Sequence, residues 1–222
     1  MIALLAGCGV IGGKKGGPKT PVVGKRTSIL SNEQGVEVDP TLADVPVTLP
    51  EPYANDQWSP AGGSPPKTMG NLALGASPSQ AWTASIAGST PQARLASAPV
   101  VVGGKLYVID ADARVIAFDA NSGAKLWQTA LPAEGSGRAL FGGGVSVIDG
   151  KLYASTGVGD VAALDANTGA VLWKKRPGGP LRGAPTLANG HVYVMGQDNQ
   201  IFALNQSDGE VQWTDSGTLQ VT

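Results

Sequence analysis

An all-β fold of four-stranded antiparallel blades, set side by side as a β-propeller, is predicted by three features of this sequence. A unit recurs three times, a tryptophan closes each copy at a near-constant spacing, and the residues between the apolar runs are turn formers. The unit is Ala117 to Trp127 (AFDANSGAKLW), Ala163 to Trp173 (ALDANTGAVLW) and Ala203 to Trp213 (ALNQSDGEVQW). Counting Trp82 as the end of a preceding copy, the Trp residues lie 45, 46 and 40 residues apart. That is the period of a propeller blade, and each indole is expected to pack on the neighbouring blade, because one small sheet cannot bury both its faces alone.

Each element follows from local chemistry. Lys105-Leu106-Tyr107-Val108 and Val115-Ile116-Ala117-Phe118 are short runs of β-branched, aromatic and aliphatic residues that read as paired strands of a meander. Gly123, Gly169 and Gly209 each end a tight connection to a third strand, where a hairpin bulge requires positive φ. A further strand, Ala98 to Val102 in the first copy, precedes each trio through a Gly-Gly, Asp-Gly or Asn-Gly turn. Tyr107, Tyr153 and Tyr193 recur once per unit and are expected in the core or between blades.

The pattern A-x-D-x-x-[ST]-G-x-x-x-W resembles the tryptophan-docking repeat of the pyrroloquinoline-quinone-type β-propellers. The first two copies match it fully, while in the third Asn205 replaces the Asp and Asp208 the Ser or Thr. The resemblance covers Ala81 to about Thr214 and implies the fold, with blade-docking roles for Trp82, Trp127, Trp173 and Trp213 and for Gly123, Gly169 and Gly209. Because that superfamily holds both dehydrogenases and scaffolds, it does not by itself imply a reaction. About eight blades would need roughly 360 residues, so the 222 residues are expected to be about three blades of a longer protein.

The expected organisation is a signal-peptide end at 1–8, a flexible Pro/Gly-rich tether and lead-in over 9–80, and the propeller over 81–222. Leu5-Ala6-Gly7-Cys8 resembles a bacterial lipobox, in which Cys8 becomes the lipidated amino terminus, carrying fatty-acyl (palmitate-type) chains. Cys8 is the sole cysteine, at the end of an apolar run, and Gly9 after it favours the outer membrane by the same resemblance. The stretch Cys8 to Lys15 fails as a phosphate-binding loop, with Cys8 at the first Gly and Lys15 in place of Ser or Thr. Nine prolines between Gly16 and Pro66 predict an extended segment draped over other structure, with Asn55, Trp58 and Gly62-Gly63 as points where it meets the blades. Gln80 to Ile86 is expected to be a strand.

A net charge of −1, with 15% charged residues, argues against a nucleic-acid partner. His191, the only histidine, aligns with Lys105 and Lys151 and reads as a hairpin position rather than a base or ligand. Asp119 and Asp165 read as turn caps and Gly142-Gly143-Gly144 as the tight start of an inner strand. No catalytic residue, metal site or cofactor is assigned.

Length varies between copies in the connection from the outer strand to the next inner strand, where propellers display binding loops. One such loop ends in Pro180-Leu181-Arg182-Gly183-Ala184-Pro185. Together with the lipobox, the Pro-rich lead-in and the docking repeats, it resembles the propeller lipoproteins of the bacterial β-barrel assembly machinery. That resemblance implies a scaffold on the periplasmic face of the outer membrane, with Leu181 and Arg182 as contacts to the periplasmic domains of the barrel subunit BamA. Leu181 aligns with Leu95 and Phe141, which leaves a packing role equally open; Arg182 aligns with Ala96 and Gly142. The rival reading is a quinone-dependent dehydrogenase, which would need a calcium site and in many members a vicinal Cys pair, whereas the one Cys is assigned to the lipobox.

Overall fold

The computed structural model describes residues 39–217 apart from 43, 60–61, 64–68, 92, 95–96 and 133–141. The chain divides into two compact units at Thr48/Leu49. In the first, the described residues hold one 3-10 turn, Pro40–Leu42, started by Asp39, whose carboxylate accepts from the Thr41 amide and hydroxyl. The second unit, Leu49–Thr222, holds the blades. The segment from Leu49 to residue 80, expected as part of a flexible tether, thus falls in the same unit as the blades.

Three sheets of four antiparallel strands follow in order. The first is β1 (Val100–Val102), β2 (Lys105–Ile109), β3 (Arg114–Asp119) and β4 (Lys125–Ala130); the second β5 (Gly143–Ile148), β6 (Lys151–Thr156), β7 (Val161–Asp165) and β8 (Val171–Lys175); the third β9 (Thr186–Ala188), β10 (His191–Met195), β11 (Gln200–Asn205) and β12 (Val211–Ser216). Each strand pairs with its neighbours in sequence, so each sheet is one propeller blade. The hairpins joining the first two strands carry two consecutive residues at positive φ, Gly103-Gly104, Asp149-Gly150 and Asn189-Gly190. That is the turn whose twist matches a right-twisted hairpin, and why Gly, Asp and Asn recur there. The register slips by one residue where the third strand meets the fourth, after Ala117, Ala163 and Ala203, giving the bulge expected from the Gly of each repeat.

Alternation of side chains along the second blade sends its residues into two separate cores. Leu152, Ala154, Ala162 and Leu164 join Val100, Tyr107, Val115 and Ala117 of the first blade. Tyr153, Val161, Ala163 and Trp173 join Val192, Val194, Phe202 and Leu204 of the third. Nearly every β6 and β7 residue is therefore buried, as a blade between two blades requires.

The docking residues behave as the repeat implies. The indole N–H of Trp82 donates to the Ala120 carbonyl at 2.9 Å, that of Trp127 to Ala166 at 3.1 Å and that of Trp173 to Gln206 at 3.0 Å. Gly123, Gly169 and Gly209 stand beneath these rings: a Cβ there would come within 2.6, 2.5 and 2.5 Å of indole carbons of Trp82, Trp127 and Trp173. Both positive φ and close approach thus demand Gly. Trp213 repeats the ring pairing, 5.9 Å from Tyr193 against 6.0 Å for Tyr107–Trp127 and for Tyr153–Trp173, but is 46% exposed.

One expected strand does not form. Gln80 to Ile86 joins none of the three sheets, and its anchorage is Trp82 itself, through its hydrogen bond and its ring contact with Phe118. Its far end is held by one backbone bond, the Ala111 amide donating to the Ala87 carbonyl at 3.3 Å.

Candidate partner-binding site

In an antiparallel blade the connections between the second and third strands, and those between blades, emerge on one face; the remaining turns emerge on the other. The turns face is built by caps. Asp119 Oδ1 accepts from the Asn121 and Ser122 amides and the Ser122 hydroxyl, and Asp165 Oδ1 accepts in the same way from Asn167 and Thr168. The Ser122 hydroxyl and amide hold the Asp119 carboxyl below its ordinary range, and the Thr168 amide and hydroxyl do the same for Asp165. In the third copy Asn205 Oδ1 accepts from the Ser207 amide and hydroxyl, one position earlier in the turn, and the carboxylate now stands at Asp208, which accepts from the Glu210 amide. These carboxylates are structural, as their position in the repeat indicates. His191 Nδ1 lies 2.8 Å from the Asn189 carbonyl across the hairpin, in keeping with a turn role.

The loop face carries Leu181 and Arg182, and the structure separates them. Leu181 is fully buried in the core between the second and third blades, among Val161, Trp173, Val194 and Phe202. Its backbone forms an antiparallel bridge with Gly196. Of the two roles left open for Leu181, this burial is the packing one, and a side chain spent on the interblade core is offered outward only by opening the seam. Its alignment with Leu95 and Phe141 was the signal for that packing role.

Arg182 is exposed. Its amide donates to the Met195 carbonyl at 2.9 Å, while Nε donates to the Gly196 carbonyl at 3.2 Å and Nη2 to the Gln197 carbonyl and Asn199 Oδ1, each at 3.0 Å. The guanidinium fork therefore braces the β10–β11 turn, in which Asn199 sits at φ 63°. One edge of the fork is bound and the group is held in a single orientation at the surface, a use that the planar guanidinium suits and an ammonium does not.

At the end of β8 and the start of the same connection, Lys174, Lys175 and Arg176 surround Asp160 in an open cleft of about 200 Å³. The Asp160 side chain is only 4% exposed; Oδ1 accepts from Arg176 Nε at 2.7 Å and Oδ2 lies 3.2 Å from Lys174 Nζ. Oδ2 makes no hydrogen bond of good geometry, so its pairing with Lys174 is ionic contact rather than a directed bond. Lys174 Nζ also donates to the Pro132 carbonyl, and Lys175 pairs with Glu210 of the third blade. The basic run thus ties the exit of the first blade, the β6–β7 loop of the second and the turn of the third. Sequence reading did not single out Asp160, because in the repeat it stands where the first copy has Arg114, of opposite charge.

Cys8 lies outside the described residues. Among those described, no group of three or more His, Cys, Asp or Glu is placed to hold a metal ion.

The family model described as "Outer membrane protein assembly factor BamB" matches residues 72–139 and 111–222. Outer membrane protein assembly factor BamB of Alkalilimnicola ehrlichii is 43% identical over 47 residues, which are 21% of this chain and 12% of that protein. Among solved structures, BamB from Moraxella catarrhalis superposes with a TM-score of 0.48 at 18% identity, over 62% of this chain and 40% of that one. Quinohemoprotein alcohol dehydrogenase from Comamonas testosteroni superposes with a TM-score of 0.48 at 27% identity, over 56% of this chain and 21% of that one. The chain thus spans well under half the length of each of these proteins. With the family model matched from residue 72 to the last residue, over three blades docked by Trp and Gly, the chain belongs to the BamB family of pyrroloquinoline-quinone-repeat propellers.

Proposed function

We propose that this chain is part of a non-catalytic scaffold lipoprotein of the outer-membrane β-barrel assembly machinery. In this reading acylated Cys8 anchors it to the periplasmic face of the outer membrane, residues 1–8 being the end of its signal peptide. Arg182 docks on the periplasmic domains of BamA. Family membership supports the setting, and the observation that carries the contact is Arg182 itself, an exposed guanidinium already held in one orientation by three acceptors. A side chain ordered before binding loses little further conformational freedom in the complex, which favours a binding role.

The experiment is recovery of BamA with the full-length lipoprotein from detergent-solubilised membranes. Arg182→Ala is expected to weaken recovery by an amount on the order of 2 kcal/mol, about thirtyfold in affinity, as an interfacial Arg hot spot does. Arg182→Lys keeps the charge and loses the fork, and is expected to fall close to the Ala variant. Undiminished recovery with Arg182→Ala would remove this loop from the contact; no BamA with the wild-type protein would remove the assembly role. Quinone-dependent turnover by the full-length protein would replace the scaffold reading with the dehydrogenase one. Cys8→Ser is expected to move the protein from the membrane fraction to the soluble one.

A further inference from the structure

The innermost strands β1 and β5 each have one edge paired within their blade, to β2 and β6, and one edge turned away from it. Both free edges are met by the same short piece of the lead-in. Trp58 forms an antiparallel bridge with Val101: its N–H donates to the Val101 carbonyl at 2.7 Å and its carbonyl accepts the Val101 N–H at 2.9 Å. On the next blade the Ser59 hydroxyl does both jobs at once, donating to the Val147 carbonyl at 3.0 Å and accepting the Val147 N–H at 3.1 Å. One hydroxyl stands where the N–H and C=O of a paired strand residue would stand.

The grip is shallow. From Leu49 to Gln57 every residue is exposed, Trp58 and Ser59 are half-buried, and neither belongs to a core cluster. The base of this strap is fixed separately: the Tyr53 amide donates to the Asn71 carbonyl at 3.0 Å, the Ala73 amide to the Tyr53 carbonyl at 2.8 Å, and Asn71 Nδ2 to the Pro50 carbonyl at 2.9 Å. Among the described residues, the hydrogen bonds that hold Trp58 and Ser59 to the blades are thus separate from those that close the stem at Tyr53. An unpaired strand edge is a template for another extended chain.

We propose that the inner edge shared by β1 and β5 is a binding site for an extended polypeptide segment, and that Tyr53 to Ser59 is the chain's own occupant of it. Recognition is by main-chain hydrogen bonds added to a strand edge. An incoming segment that pairs with Val147 through its backbone replaces the serine hydroxyl by a regular ladder and can extend it along β5. The site is separate from the loop that carries Arg182, and the proposal stands or falls independently of the assembly role.

Two measurements on the whole chain test it. In the wild-type protein, the Val101 and Val147 amides are expected to exchange with solvent at least about tenfold faster than hydrogen-bonded amides of β2 and β6, because they open with the strap and not with the blades. In Trp58→Pro/Ser59→Ala, which removes the amide donor and the hydroxyl, a fluorescent synthetic peptide of the sequence Tyr53 to Gly63 is expected to bind at least about tenfold more tightly than to wild type, and to slow exchange at Val101 and Val147. Wild-type exchange at these two amides as slow as in the central strands would overturn the proposal. So would equal peptide binding by the two proteins, or none by either.

Discussion

At the seam between the first and second blades, Trp127 and the buried Tyr107 donate to one acceptor, the carbonyl of Ala166; between the second and third, Trp173 and Tyr153 share the carbonyl of Gln206. The outer halves of the two seams are thus the same device, an aromatic pair over a Gly, with both polar tips satisfied by one backbone oxygen. Burial pushes the phenols of Tyr107 and Tyr153 up, with a smaller push from Asp165 and Asp149 respectively, so both stay protonated donors. The inner halves differ. Between the second and third blades the chain stitches itself: Ser146 Oγ donates to the Pro185 carbonyl at 2.6 Å, Ser155 Oγ to Gly183 at 2.7 Å, and Gly143 N to Arg182 at 3.2 Å. Here Gly144 admits the Ala184 backbone so closely that a Cβ would lie 2.6 Å from the Ala184 Cβ. Between the first and second blades the described inner contacts include the Trp58–Ser59 strap. Repetition specifies the outside of a seam, while the inside is solved separately each time by whatever segment reaches it.

The largest expected effect tests the shared half. Trp173→Ala, at a 9% exposed residue, is expected to destabilise by about 3–5 kcal/mol, whereas Trp213→Ala, at a 46% exposed one, is expected to cost under about 1 kcal/mol, both read by chemical denaturation. Equal losses would mean that the ring pair, and not the next blade beneath it, supplies the stability. Next comes Leu181→Ala, which removes a fully buried side chain from the second seam alone. A loss of about 2–5 kcal/mol is expected, with amide exchange faster in β10 and β11 and little changed in β2 and β3. Smaller is Ser146→Ala, which deletes one stitch and leaves the Pro185 carbonyl without its partner; about 1–2 kcal/mol is expected by the same denaturation.

The smallest effect separates the third blade from the other two. Asp119 and Asp165 titrate lower in the folded chain than their ordinary 3.8, so their contribution is present above that value and disappears as pH falls through the folded pKa. Acidification from pH 5 towards pH 2 is expected to loosen the Asp119 and Asp165 caps, seen as amide shift changes of Ser122 and Thr168, whereas the cap that Asn205 makes on Ser207 has no carboxylate to protonate.

Sequence alone determined the blade. Period, apolar runs and the Asp-to-Gly turns are local chemistry repeated three times, so the blade strands, the bulges and the docking of Trp on Gly are legible in the residues themselves. Trp58 was legible too, as an aromatic in a Pro-rich stretch. Tertiary structure decided what depends on which segments meet. The repeat alignment left Leu181 open between packing and partner contact, and only the tertiary structure shows it buried in the seam. Whether Gln80 to Ile86 is a strand depends on a partner edge, which residue content cannot reveal. Asp160, Lys174 and Arg176 form one charged cluster only because the β6–β7 loop and the end of β8 converge, and Ser59 matters only because two strand edges lie under one hydroxyl. Hydrogen-bonding potential is written in each residue, but its partner is chosen by the packing of distant segments, and that is why the repeat could be read and its seams could not.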